Sequence, residues 1–278
     1  MDKYWEIKLA AEKVGELLLY GPIANSEIWG DEVTPKKIDA ELKALGELDV
    51  LNVHINSQGG NVFAAQAIYS IIKRNSAKGK CAYIDGLAAS AASLIFCACD
   101  TVRAFSNAMI MVHKPWGVVI GNADLMHERA AILDKNEESM IAAYQEKTGL
   151  SKGEIQEMLS AETWLTAQEA KDKGFIDEIE EGMQVAASLE GDVFVCGDIR
   201  VDLNRFKNPA KVKEVYREAV KPPEPVADSS KEPPEPDPNK EPETKRDDPP
   251  EDGAALAEQA KKHRELRHKL YKVYEEEK

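Results

Sequence analysis

Apolar positions along the first 205 residues recur with two different periods, and the periods alternate. "ELLLYG" is a short apolar run closed by glycine and predicts a strand. "TPKKIDAELKAL" spaces its apolar residues by three and four, so it predicts a helix, with Thr34 as N-cap and Pro35 in the first turn. "DVLNVHIN" predicts a strand, and its run of aliphatic residues suggests burial on both faces. "NVFAAQAIYSIIKRN" predicts a helix that carries Val62, Ala65, Ile68 or Tyr69, and Ile72 on one side. "KCAYID" predicts the next strand, with a helix following from about Ser90. "TVRAF" and "AMIMVHKP" predict two short strands. A long helix is expected from about Ala123 to Lys147 and a shorter one over "SKGEIQEMLS". Another is expected over "TAQEAKDKG", capped by Thr166 and stopped by Gly174, before a closing strand "FIDEI". Alternating strands and helices argue for an α/β architecture. No internal repeat is visible.

The pattern stops near residue 207. The stretch "KPPEPVADSSKEPPEPDPNKEPETKRDDPPEDG" is crowded with proline and charge and has too little apolar content to offset the entropy of ordering it. The expected organisation is therefore a domain over 1–206, a disordered proline-rich acidic linker over 207–253, and a short amphipathic helix over 254–278. That helix would carry Leu256, Ala260, His263, Leu266, Leu270 and Val273 at helical spacing. A helix so short is marginal alone and is either a fraying tail or a docking element.

Charge and composition narrow the classes. The 278 residues carry a net charge of −14, which disfavours non-specific binding to nucleic acid. The longest apolar run, Leu87 to Cys99, is short of the roughly 20 residues a membrane helix needs, and the charged N-terminus has no signal core. Cys81, Cys97, Cys99 and Cys196 form no CxxC pair, so reduced thiols, a cytoplasmic location and no membrane partner are expected. No two histidines share ligand spacing on one element, and neither GxGxxG nor GxxxxGK[ST] occurs. Neither a metal nor a nucleotide cofactor is expected.

Four short stretches could carry chemistry. "INSQGG" ends a strand before a helix, where paired glycines and unpaired helix-start N–H groups suit an oxyanion hole; taken alone it reads first as a tight strand-to-helix turn. "GLAASAAS" places Ser90 where a strand meets a helix, with alanines on both sides; a plain N-cap role is the rival reading. Ser93, one helical turn further, faces the interior and is the weaker nucleophile. The stretch is not a GxSxG elbow. "MIMVHKP" ends an apolar strand with His113, which can lean from the sheet end toward a pocket. His54 lies inside a strand and His127 on a charged helix. "AETWLTAQEAKDKGFIDEI" places Glu162 before Trp164 and Leu165.

In this order the four stretches resemble the ClpP-type serine peptidases, the proteolytic subunits of Clp protease. The matching residues are Gly59-Gly60, Ala88-Ala89-Ser90, Met111-Val112-His113-Lys114-Pro115, Glu162, Trp164-Leu165-Thr166, Glu169-Ala170 and Gly174-Phe175-Ile176-Asp177, over roughly residues 15 to 181. The resemblance implies a spiral of ββα units, as in ClpP and crotonase folds, assembled as homo-oligomeric rings with the long helix at ring contacts. It implies Ser90 as nucleophile, His113 as general base and then acid, Glu162 as the orienting acid, and the N–H groups of Gly60 and Ala91 as the oxyanion hole. Three departures stand out. Glu162 occupies a position that is usually Asp, Gln58 one that is usually Pro, and the tail is absent from the typical housekeeping subunit.

The "ETWLTAQEA" wording, "EIWGDEV" and the tail are more similar to ClpP-related head maturation proteases of tailed phages and prophages. That likeness implies capsid or scaffold proteins as polypeptide substrates, in a bacterial or phage-infected cytoplasm. Three other readings compete. They are a housekeeping Clp subunit fed by an ATPase unfoldase, a crotonase-like acyl-CoA enzyme, which would not label with a fluorophosphonate, and an inactive assembly subunit.

Overall fold

A computed structural model of the chain describes residues 5–11, 13–26, 32–180, 187–196 and 199–220. The segment from 221 onward, with the proline-rich stretch and the expected terminal helix, lies outside the described residues, as do residues 27–31 of "EIWGDEV".

The main sheet has the order β1-β2-β3-β4-β5-β8. Its strands are β1 (Trp5–Ala11), β2 (Val14–Tyr20), β3 (Val50–Ser57), β4 (Gly79–Ala89), β5 (Thr101–Phe105) and β8 (Glu178–Glu180). β1 and β2 form an antiparallel hairpin, and from β2 to β8 neighbouring strands run parallel. Parallel neighbours need crossovers, and these are supplied by α1 (Pro35–Ala44), α2 (Val62–Arg74) and α3 (Ala91–Phe96). The crossover helices bury one side, α2 through Ala64, Ala65, Ile68, Ile71 and Ile72, against Leu17, Leu19, Leu51, Val53, Ile55, Ala82 and Ile84 of the strands. This is the α/β alternation expected from the two periods.

β3 differs in one respect from its expected burial on both faces. Its residues alternate between buried and half-buried until the strand reaches Ile55. Asn52 and His54 lie on the half-buried side, where each has a charged partner, so the aliphatic residues cover only the helical face.

β4 is longer than the six-residue run that announced it. Its first half pairs with β3 and β5, and Leu87–Ala89 pairs instead with β6 (Met109–Val112). β6 in turn pairs antiparallel with β7 (Thr163–Thr166). β6 and β7 thereby extend the same sheet beside the end of β4, where Ala88 still pairs with Ser57 of β3. α4 (Ala123–Thr148) begins at the Asn122 cap and ends at Gly149, whose φ of 73° supplies the left-handed turn. α5 (Lys152–Ala161) and α6 (Ala167–Asp172) both start with capping boxes, Ser151 with Glu154 and Thr166 with Glu169.

A second small sheet follows, with β9 (Ala187–Glu190), β10 (Val193–Cys196) and β11 (Ile199–Asp202) in antiparallel order. A 3-10 turn (Leu203–Arg205) and α7 (Pro209–Ala219) complete it. The expected boundary at 206 therefore falls too early. α7 starts at the Asn208 cap with Pro209 in its first turn and buries Val212, Val215 and Tyr216. Its three apolar residues were outweighed in composition by the proline-rich run directly after it. With Phe194, Val201 and Leu203 they form a second core against Leu87, Ala89, Met109, Met111 and Trp164.

Candidate active site

The two layers meet where β4 ends. Ser90 follows Ala89 directly and occupies the N-cap position of α3, yet its side chain makes no capping bond. Its backbone has φ 55° and ψ −126°, a conformation that non-glycine residues rarely adopt and that costs about 1–3 kcal/mol. The Ser90 N–H donates to Met111 O at 2.9 Å, which ties the strained residue to β6. The hydroxyl is thereby turned out of the helix, and it lies in hydrogen-bond contact with His113 Nε2 at 2.7 Å. Ser93 is placed differently. It is buried, and its hydroxyl bonds Ser90 O at 2.6 Å and Tyr144 Oη at 2.7 Å inside the core.

His113 lies one residue beyond β6, where Lys114 N–H donates to Leu159 O rather than continuing the ladder. Burial pushes the imidazole down to about 4, and the positive charge of Lys207 acts in the same direction. The ring is therefore neutral at pH 7. Lys114 itself is engaged by Glu137 of α4 at 3.1 Å.

Glu162 caps the C-terminus of α5 with φ 54° and ψ 74°, and it is buried. Its Oε2 lies 3.8 Å from His113 Nδ1, an ion-pair approach longer than a hydrogen bond. Its Oε1 accepts the main-chain N–H of Lys207 at 2.8 Å. Of the three chemistry-bearing side chains read from the sequence, Ser90 and His113 are in hydrogen-bond contact, and Glu162 stands just beyond contact on the far side of the ring.

The first of the paired glycines is packed against the serine and the second against Ile23. Gly59 has φ 90°, and a Cβ there would lie 2.5 Å from Ala89 O and 2.8 Å from Ser90 Cβ. Gly60 has φ 149°, and a Cβ there would lie 2.2 Å from Ile23 O. No L side chain fits either position, so Gly59 lets the β3–α2 turn approach the serine and Gly60 lets it approach the Ile23 backbone. Ala91 is the first residue of α3, so its N–H belongs to the turn that has no intrahelical acceptor. Gln58, the departure just before the glycines, does not prevent this approach.

The chain carries the sequence signature of known peptidases. The Clp protease family profile matches residues 28–183, more than half of the chain. This chain belongs to the Clp protease family. Among curated relatives, it is 31% identical over 166 residues to "ATP-dependent Clp protease proteolytic subunit 1" of Chlamydia abortus, covering 56% of this chain and 86% of that protein. It is 29% identical over 154 residues to "ATP-dependent Clp protease proteolytic subunit" of Bacteroides fragilis, covering 54% of this chain and 74% of the relative. The family makes the chain a serine-type peptidase with polypeptide substrates. The family match stops at 183, so β9–β11, the 3-10 turn and α7 lie beyond it. Sequence reasoning missed Lys207, which belongs to that segment. The one available signal was the Asn208-Pro209 pair, an N-cap followed by proline, which announces a helix start.

Among the described residues no group of His, Cys, Asp and Glu is arranged to hold a metal ion, and no helix is long and apolar enough to cross a membrane. Cys81, Cys97 and Cys99 are free thiols.

Proposed function

We propose that the peptidase works through Ser90, His113 and Glu162, and that its substrates are capsid or scaffold proteins trimmed during phage head maturation. The observation that carries the catalytic part is the 2.7 Å bond from a strained, uncapped Ser90 hydroxyl to a neutral imidazole. In this reading His113 Nε2 takes the Ser90 proton as the oxygen attacks the scissile carbonyl. The N–H groups of Gly60 and Ala91 receive the oxyanion, and His113 returns its proton to the leaving amine. Water then repeats the cycle on the acyl-enzyme. Glu162 faces the Nδ1 side, where an imidazolium formed in the transition state gains a carboxylate partner. Closing the 3.8 Å gap to hydrogen-bond distance would raise His113 toward its ordinary value and strengthen the base. Labelling with a fluorophosphonate, followed by mapping of the modified residue, tests the assignment. Label on Ser90 is expected, whereas label on Ser93 or none at all defeats it.

Ring assembly belongs to the same proposal. The extended run after His113 leaves Trp116, Val118 and Ile120 exposed, at 67%, 84% and 90%. Three large apolar side chains so placed beside a reactive site suit a second copy of the chain or a substrate polypeptide. The capsid reading rests on the wording of the 162–170 segment and on the proline-rich tail. The curated relatives favour a second reading, a proteolytic subunit that works with an ATPase in the cytoplasm, because both are named as ATP-dependent. Incubation with candidate phage capsid and scaffold proteins, without ATP, separates the two. Discrete trimming supports head maturation, and no cleavage unless an unfoldase and ATP are added supports the other.

A further inference from the structure

Beyond the family-matched residues, the segment 187–219 is built as a second layer on the strands that carry the active site. Phe194, Val201, Leu203, Val212, Val215 and Tyr216 close over Leu87 and Ala89 of β4, Met109 and Met111 of β6, and Trp164 of β7. Those strand residues are 0–4% exposed, so the layer seals the face of the sheet opposite the main core. Leu87 and Ala89 lie just before Ser90, and Met111 carries the carbonyl that holds the Ser90 N–H. The layer touches the chemistry at one point, where the chain leaves the 3-10 turn. Phe206 packs edge-on against Trp164 with ring centroids 4.9 Å apart. Lys207, next in the chain, donates its main-chain N–H to Glu162 Oε1 at 2.8 Å and its ammonium to Ser160 O at 3.0 Å.

We propose that the 187–219 layer is a positioning device for the acid, with the main-chain N–H of Lys207 holding Glu162 so that its second oxygen faces His113. This rests on the triad reading above. The physical need is specific to this chain. Glu has one more rotatable bond than the Asp usual at this position, so an unanchored carboxylate would sample rotamers that face away from the ring, and fixing it would cost entropy in every turnover. A main-chain donor on a packed turn removes that freedom without using a side chain. The two carboxylate oxygens divide the work: Oε1 is taken by Lys207 N–H, and Oε2 is left 3.8 Å from His113 Nδ1. The Lys207 ammonium adds a second effect. Around the imidazole stand the Ser90 hydroxyl, the Glu162 carboxylate, Lys207, and Lys114, which Glu137 of α4 pairs. The charge of Lys207 works together with burial to keep the resting ring neutral.

Lys207→Pro removes the N–H, and Phe206 already has the extended backbone, φ −100° and ψ 158°, that a residue before proline adopts. With a fluorogenic peptide and the full chain, kcat for Lys207→Pro is expected at least tenfold below that of Lys207→Ala, which keeps the N–H, with KM values within about twofold. Lys207→Ala should move the acid limb of kcat/KM to higher pH, because one of the two influences lowering His113 is gone. Lys213→Ala, which breaks the exposed pair with Asp192 in the same layer, should keep the wild-type kcat. The decisive comparison is a cycle with Glu162→Ala. If the N–H acts through the carboxylate, Lys207→Pro costs less than about twofold once Glu162 is gone. An unchanged tenfold cost in that background would reduce Lys207 to packing and overturn the proposal. So would a wild-type kcat for Lys207→Pro while Glu162→Ala is impaired, an outcome that leaves the triad standing. A fully active Glu162→Ala or Ser90→Ala enzyme would instead overturn the triad itself. Should Lys207→Pro melt below the assay temperature, Phe206→Ala, which frees the turn from Trp164, replaces it in the same cycle. A loss of about threefold that vanishes in the Glu162→Ala background is expected, and a loss that persists there overturns the proposal.

Discussion

Two histidines, His54 on a strand and His113 just past a strand end, are held in contrasting environments. His54, on β3, has Glu16 Oε2 at 2.9 Å from Nε2 and Asp85 Oδ2 at 3.0 Å from Nδ1. Tyr20 donates to the same Asp85 oxygen at 2.6 Å, Asn52 donates to Glu16 at 2.8 Å, and the ring stacks on Tyr83. Burial works against the charged ring there, but the hydrogen bond and charge of Asp85, with those of Glu16, outweigh it and raise its pKa. His113 has a hydroxyl at one nitrogen, a carboxylate just out of reach at the other, and a lysine nearby, and it is pushed down to about 4. A histidine clamped by two carboxylates has both ring nitrogens engaged. A base needs an acceptor nitrogen, a hydroxyl and a carboxylate that engages only as charge develops.

The largest expected effects fall on the His113 side. Ser90→Ala should reduce peptide hydrolysis by about 10³-fold or more with the fold intact, and His113→Ala should be nearly as damaging. The double variant should cost little beyond either single one, because the two act as one unit. Multiplying losses, or a fully active Ser90→Ala, would erase the distinction between the two histidines. Ser93→Ala should retain substantial activity, since its hydroxyl is engaged by Ser90 O and Tyr144 within the core.

Truncation comes next. A chain ending at 206 loses α7 and the Lys207 N–H, and it uncovers Met111 and Trp164. Burial of Val212, Val215 and Tyr216 contributes about 1.5–3 kcal/mol each, so this chain should melt many degrees lower and lose activity. A chain ending at 220 should keep both its melting temperature and its peptide hydrolysis. Equal behaviour of the two truncations would show that the second layer is dispensable.

Glu162→Gln should lower kcat by about ten- to a hundredfold, and Glu162→Asp by less, because only a carboxylate stabilises the imidazolium. Wild-type rates for the Gln variant would leave His113 without its acid and bring it closer to an ordinary buried histidine.

Most of the main layer was legible in the residues. Thr166, Gly174 and the 3.6-residue spacing of "VFAAQAIYSIIKR" each name a local physical cause, and the elements they announce are present. The proximity of Ser90 and His113 is a matter of fold. It was suggested only by the order of four motifs that are weak one by one. Three things were not legible. β7 is four residues long and gains its identity from pairing with β6. The buried side of β3 was overread because Asn52 and His54 find partners only on neighbouring strands. The second layer has short strands whose burial depends on Trp164 and Met111, far away in sequence, and the proline-rich run beside α7 masked its three apolar residues.

The smallest effect separates the histidines by stability alone. His54→Gln takes the ring from between Glu16 and Asp85, and peptide hydrolysis should stay near wild type, since among the described residues His54 makes no bond to Ser90 or His113. Its folded-state pKa is raised above the unfolded value near 6.5, so the stability that the charged ring contributes is fully present below that value and is lost as pH rises through the folded pKa. His113 carries the opposite sign. Its ring resists protonation in the fold, so its presence destabilises as pH falls from about 6.5 toward 4. The wild type should therefore be the more stable of the two below pH 6.5, with the difference from His54→Gln shrinking as pH rises. The His113→Gln variant should gain relative to wild type on acidification. Parallel pH profiles for the two variants would mean that the two rings share one state, and the contrast between clamp and base would fail.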